Sequence, residues 1–384
     1  MKKILALTLT MILALTLCSC GGSAATGSSA GGSASASAAN KTTAGGSEAD
    51  GKPIKCGILT LLNATEEEMK NVGEAIILGS EQMVKDGYIQ PDPSDVTVKK
   101  GAGDPNIEVI YYDTLDSMIM ALEAGEIDML RIYYSTARYL TSKNDKLAVN
   151  GKYDIVREKF LGVDIGDIAP KDMFAYILST GLASNDFAFM MMEDNTALRD
   201  EFDKAILDMK KDGTYSKLVE EQINDVMNGG EIKPVTMPVL NSTRTIKVAV
   251  TGSLPPMDYV AADGTPAGFN TAMLAEISKR IRANIELVVV DSIGRAAALS
   301  SGTVDAVFWT RTDDKSSSFA KKDDAKRKEF LDKVLAKMSK DQQETMNKII
   351  QRIDYAKIGT QDMPKGTIIT KTYYSDILVN VIKK

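Results

Sequence analysis

The 384-residue chain contains no histidine, which excludes Ser-His-Asp and Cys-His nucleophile pairs and histidine-ligated metal sites. Two of its three cysteines, Cys18 and Cys20, lie in the N-terminal apolar region. Cys56 is therefore the single thiol of the body, and no disulfide framework is available unless an unacylated Cys20 pairs with it. A net charge of −6 argues against a nucleic-acid partner.

The chain opens with Lys2-Lys3 and an apolar run from Ile4 to Leu17, shorter than the roughly 20 residues needed to span a bilayer. It reads as an export signal. Leu17-Cys18-Ser19-Cys20-Gly21-Gly22 resembles the bacterial lipoprotein box, which implies cleavage of residues 1–19 and acylation of Cys20, palmitate included. Cys18 fits less well, because bulky Leu17 would take the minus-one position; an ordinary secretory peptide is the alternative. The expected location is extracytoplasmic, lipid-anchored to the bacterial cell membrane. Residues 20–51 are mainly Gly, Ser, Ala and Thr and predict a flexible tether.

Beyond the tether an internal repeat appears. Ile54–Thr60, Asn106–Asp113 and Ala121-Leu122-Glu123-Ala124-Gly125-Glu126-Ile127-Asp128 match Ile246–Thr251, Asn284–Asp291 and Ala298-Leu299-Ser300-Ser301-Gly302-Thr303-Val304-Asp305 in the same order. Each copy predicts strand, helix, strand, helix, strand, with Gly125 or Gly302 as a left-handed helix stop before a buried strand. Cys56 falls in an apolar strand as a small buried side chain. Helices alternating with apolar strands imply α/β architecture with parallel sheet. Between the copies, Leu198, Phe202, Ala205, Ile206 and Met209 form an apolar helical stripe from a capping Asn195 to a stop at Gly213.

The stretch Pro255-Pro256-Met257-Asp258-Tyr259 through Asp263-Gly264 to Gly268-Phe269-Asn270, with Asp291 to Asp305 and Thr370–Tyr374, resembles the extracellular solute-binding proteins of the amino-acid type, family 3. Asn270 stands where the family has aspartate and would cap the following helix equally well. The resemblance implies a two-lobed Venus-flytrap fold (class II) and no enzymatic activity. Its order is unusual: the family's first lobe matches 244–384, while 53–185 reads as the second lobe and 186–230 as return strand and closing helices. The expected fold is therefore one binding module with circularly permuted lobes. Two truncated binding domains in tandem remain the alternative. The domain reading is 53–230 as second-lobe-like unit, 231–243 as linker and 244–384 as first-lobe-like unit with a helical insert at 313–362. Within the insert, apolar residues at helical spacing predict two amphipathic helices packed on the first lobe.

Carried over residue by residue, the family pattern points to Ser292, Trp309, Thr310, Arg311 and Thr312 in one lobe, and to Asn63, Thr65, Tyr133 and Ser135 in the other. An arginine beside hydroxyls and amide N–H groups is a carboxylate receptor, and an aromatic plate adds stacking. The residues have plainer readings too. Thr65 starts a helix, Trp309 suits a core, and Arg295 and Arg311 suit surface ion pairs. The family's usual ammonium-binding aspartate is replaced by Tyr133, its aromatic before the proline pair by Leu254, and its carboxylate-clamping arginine by Ser317. An ordinary free α-amino acid is thereby disfavoured, and another small solute, a short peptide or a lost site stay open. The implied partners are a small polar solute and an ABC-transporter permease, with no cofactor and a monomeric state. A sensory or scaffold homologue is the competing class.

Overall fold

The computed structural model describes residues 53–62, 65–90, 107–150, 156, 159–160, 163, 165–180, 184–310, 324–352 and 364–384. Its first repeat copy forms β1 (Ile54–Leu59), α1 (Glu66–Lys85), β2 (Ile107–Tyr112), α2 (Leu115–Ala124), β3 (Met129–Tyr133), α3 (Tyr134–Lys143) and β4 (Leu147–Val149). α4 (Met173–Thr180) leads to β5 (Ser184–Met192), α5 (Thr196–Asp212) and α6 (Thr214–Val219). The second copy forms β6 (Thr245–Val250), the small strands β7 (Ser253–Leu254), β8 (Asp258–Val260) and β9 (Pro266–Ala267), then α7 (Gly268–Ile281), β10 (Asn284–Val289), α8 (Arg295–Ser300) and β11 (Ala306–Thr310). α9 (Asp324–Leu335) and α10 (Lys340–Arg352) precede β12 (Thr367–Ile369) and β13 (Tyr374–Lys383).

The repeat has a physical basis in both copies. Gly125 and Gly302 end their helices at φ 79° and 71°, and the N–H of Glu126 or Thr303 reaches back to the carbonyl of Ala121 or Ala298. Three residues past each glycine an aspartate bonds the first strand twice. The Asp128 N–H donates to Lys55 O while its carboxylate accepts from Lys55 N; Asp305 does the same with Lys247. The glycine turns the chain and the aspartate sets the register.

Strand order is β10-β6-β11-β5-β13-β3-β1-β2. Parallel β1, β2 and β3 build one lobe, here the N-lobe, and parallel β6, β10 and β11 the other, the C-lobe. Neither completes its sheet alone. β5, arriving from the N-lobe, pairs antiparallel with β11, and β13, arriving from the C-lobe, pairs antiparallel with β3 and β4. The two exchanged strands also pair with each other, from Tyr374 against Phe187 to Ile377 against Ser184. The two-lobed α/β expectation is met.

Around this crossing lies the aromatic core, in which Phe187 contacts Tyr133 and Phe308, and Phe189 stacks on Tyr373 and meets Phe202 of α5 edge-on. The stripe Leu198, Phe202, Ala205, Ile206 and Met209 is buried as its spacing predicts, and Gly213 stops the helix at φ 85°. Asn195 precedes α5 without a side-chain capping bond. Cys56 is buried.

Two sequence expectations need correction. Asn270 does not cap α7: the first N–H groups of that helix donate to the carbonyls of Pro256 and Met257, so the Pro256-Met257 backbone serves as the cap. Gly268 permits this approach, since a Cβ there would lie 2.5 Å from Pro256 O. Asn270 instead accepts a 2.7 Å bond from the Tyr373 hydroxyl. The insert does form two helices, α9 and α10, but α10 packs on α1 of the N-lobe and not on the lobe that carries it in sequence. Ile349 and Met346 are buried there, Thr345 donates to Gln82 Oε1, and Arg352 pairs with Glu74 at 3.2 Å. The reason is the matching polar rim of α1: buried Gln82 donates to Asp341 and Asp86, and Gln342 donates to Asp86.

Candidate functional site at the lobe junction

The turn Asp291-Ser292-Ile293-Gly294 closes through an N–H from Gly294 to Asp291 O at 3.0 Å and delivers Arg295 as the first residue of α8. Its side chain enters the lobe junction, not the solvent, and only 1% of the residue is exposed. Nε donates to Ser292 O at 3.0 Å, Nη1 to Phe308 O at 2.9 Å, and Nη2 crosses to Leu61 O of the N-lobe at 3.0 Å. The guanidinium also lies 4.6 Å from the Trp309 ring centre, a cation–π contact. The surface ion-pair reading of Arg295 is thus overturned. A planar fork can serve several carbonyls at once and stack on an indole, so its burial costs less than that of a lysine ammonium.

Burial pulls the Arg295 pKa down to about 10, against the charge of Asp258, so it stays a cation at neutral pH. Asp258 is fully buried on β8, where its Oδ2 accepts from Thr251 N at 3.0 Å and Thr251 Oγ1 at 2.7 Å. Desolvation raises its pKa, opposed by the Thr251 bonds and by Arg295. No periodicity marks a lone aspartate in a three-residue strand. The one signal for Arg295 in the sequence was its place within the Asp291 to Asp305 stretch that carries the family resemblance.

The other predicted residues divide. Trp309 is 4% exposed beneath Arg295, and Ser292 supplies a carbonyl to Arg295 and a hydroxyl 3.5 Å from that of Ser253. Tyr133 is wholly buried, edge-on to Phe187 at 4.8 Å, its hydroxyl accepting from Asn185 Nδ2. Tyr134, one residue on, begins α3 and is buried as well. The Ser135 N–H donates to the Asp376 carboxylate at 3.0 Å. Asn185 and Asp376 are direct cross-strand partners on β5 and β13, so one face of the crossing reaches the start of α3 with both side chains. Thr65 stands exposed before α1, its carbonyl accepting from Met69 N. The Thr310 backbone pairs with Phe187. Asn63, Arg311, Thr312 and Cys20 lie outside the described residues, as does the side chain of Thr310.

Residues 246–320 match the bacterial extracellular solute-binding proteins, family 3. The match spans β6 to β11 and so carries Asp258, Ser292, Arg295 and Trp309. No curated protein matches the chain. Among solved structures, the ligand-binding component of an ABC-type import system from Staphylococcus aureus with zinc bound is 9% identical, with 86% of this chain and 66% of that chain covered and a TM-score of 0.33. An ABC transporter / periplasmic binding protein from Brucella ovis with glutathione bound is 11% identical over 86% of this chain and 62% of that one, with a TM-score of 0.33. A putative L-cystine ABC transporter from Listeria monocytogenes is 10% identical over 87% and 76%, with a TM-score of 0.30. The chain thus spans less than two thirds of the length of the first two. Among the described residues no helix is long and apolar enough to cross a membrane, and no group of three His, Cys, Asp or Glu could hold a metal ion.

Proposed function

We propose that the protein is a lipid-anchored extracytoplasmic receptor that closes its lobes on a small polar solute bearing a carboxylate and presents it to an ABC importer. Arg295 carries this reading: a buried guanidinium, stacked on Trp309, that spans the junction from within the solute-binding stretch. Its bond to Leu61 O joins the lobes, and a solute carboxylate offering two parallel acceptors is the stronger partner for a planar fork. Parting the lobes about β5 and β13 gives up the Leu61 bond; closing on a solute replaces it, so solute and closure favour each other. Cys20 is the anchor in this reading, and the unit works as a monomer without a cofactor. An amino-acid-like compound or a short peptide would satisfy the chemistry.

The lobe order fits circular permutation. Val381 of β13 pairs with Leu130 of β3, which pairs with Gly57 of β1, so the last strand ends level with the start of the first, two strand spacings or roughly 10 Å away. A sealed junction supports a second reading, a sensory or scaffold homologue whose site no longer opens.

Trp309 is the only tryptophan, so its emission reports on the junction alone. Thermal melts and tryptophan emission against amino acids, short peptides and simple carboxylates separate the two readings. A carboxylate solute that raises the melting temperature and shifts emission, with both effects lost in Arg295→Ala, supports the receptor. A panel that moves neither leaves the sensory or scaffold reading.

A further inference from the structure

We infer that Asp376 is a tethered occupant of a carboxylate site at the N-terminus of α3. The inference rests on the junction being the solute site and adds what the N-lobe side of it admits. α3 begins at Tyr134 directly after β3, and no side chain of its N-cap residue, Tyr133, bonds the first turn. That turn therefore presents N–H groups and the positive end of the helix dipole to the crossing strands. Asp376 of β13, 1% exposed, fills the place: Oδ2 accepts from Ser135 N at 3.0 Å and Oδ1 from Ile377 N at 2.7 Å.

Two further donors stand in the same turn. Ser135 Oγ and Thr136 Oγ1 are buried, and neither has a hydrogen-bond partner among the described residues. Buried hydroxyls left unbonded are costly, and here they sit beside a helix N–H that already holds a carboxylate. This turn thus carries two hydroxyl donors besides the N–H that holds Asp376, which is the composition of an anion subsite.

Two consequences follow for recognition. The N-lobe side of the junction carries a fixed negative charge supplied by the hinge strand itself, while the C-lobe side carries the Arg295 cation. A solute with one carboxylate meets Arg295 without opposition. A second carboxylate directed at α3 meets Asp376 in its place and is repelled by a like charge in a desolvated setting. Asp376 thereby selects monoanions over dianions.

The test is chemical rescue. Melting temperatures of wild type, Asp376→Ala and Asp376→Asn are measured in sodium acetate and in sodium chloride at equal ionic strength. The alanine variant is expected to melt lower than wild type and to recover several degrees in acetate but not in chloride. Wild type and the asparagine variant, whose α3 end stays filled, are expected to respond alike to both salts. Equal effects of the two salts on Asp376→Ala, or an acetate effect on wild type as large as on the variant, overturn the assignment. Should the alanine variant not fold in chloride, its refolding yield from urea is compared in the two salts; a higher yield in acetate supports the site and equal yields overturn it. Selectivity is read from Trp309 emission with succinate and butyrate. Asp376→Asn should favour succinate over butyrate at least tenfold more than wild type does, and an unchanged ratio overturns the selecting role. Acetate rescue stands independently of Arg295, whereas emission unmoved by either acid in every variant removes the Arg295 site.

Discussion

Replacing Arg295 with methionine keeps the length and apolar stem of the side chain while deleting every donor. Three carbonyls, those of Ser292, Phe308 and Leu61, then lose a charge-assisted partner inside the protein. Each buried unsatisfied group costs about 1–3 kcal/mol. Relief from burying a cation offsets part of that sum, and removing one member of a buried charged set typically leaves a net loss of about 3–5 kcal/mol. The loss is enlarged because Asp258 keeps its burial without the attraction of Arg295. Urea denaturation at neutral pH, followed by far-UV circular dichroism, measures the stability change, and Trp309 emission measures the local one. A destabilisation of at least about 3 kcal/mol is expected, with emission moving to the red as water reaches a ring that is now 4% exposed. A variant within about 1 kcal/mol of wild type, well below that range, with unchanged emission would refute the assignment of Arg295 as the tie between the lobes.

Burial raises the folded pKa of Asp258 above the ordinary carboxylate value, so the folded state holds that proton more tightly than the unfolded chain. Its ionisation costs stability as pH rises from the ordinary carboxylate pKa of the unfolded chain through the raised folded pKa, and Asp258→Asn removes this dependence. Stability curves of the two proteins should therefore converge toward low pH and separate above it; parallel curves would contradict the shift. Ile349→Ala in the buried seam between α10 and α1 should cost about 2–5 kcal/mol, and proteolysis should then cut the insert first. A loss below about 1 kcal/mol would show that the hairpin is not docked as described. Asp305→Ala should cost about 0.5–1.5 kcal/mol by removing the acceptor of the exposed Lys247 N–H at the start of β6, read in the same urea melts, with no effect meaning that water takes over the bond. The Cys56 thiol, pushed up by burial, should react with a disulfide reagent only as fast as the protein unfolds. Rapid labelling in native buffer would refute its burial.

Much of the fold was legible because its determinants are local. Gly125, Gly213 and Gly302 announce helix ends, the stripe from Leu198 to Met209 announces a buried face, and the recurrence of Asp128 and Asp305 marks the repeat. Those signals depend on a few neighbouring residues and survive in one dimension. The candidate site was legible only in part. Tyr133, Ser135, Ser292 and Trp309 were named through resemblance; Arg295 and Asp258 stand in the resembling stretches, but Arg295 was given a surface ion-pair reading and neither Asp258 nor Asp376 was singled out as a site residue.

What the sequence determined by itself was the set of building units: two βαβ copies, the closing helices, and two amphipathic helices in an insert. Only the tertiary structure decided which surfaces those units meet. α10 carries an apolar stripe that by itself specifies neither lobe, and the amide-carboxylate rim of α1, distant in sequence, selected the N-lobe. Arg295 is charged, and charge ordinarily means solvent. It is buried because three carbonyls and an indole from separate segments converge on it, an arrangement that exists only once β5 and β13 have crossed between the lobes.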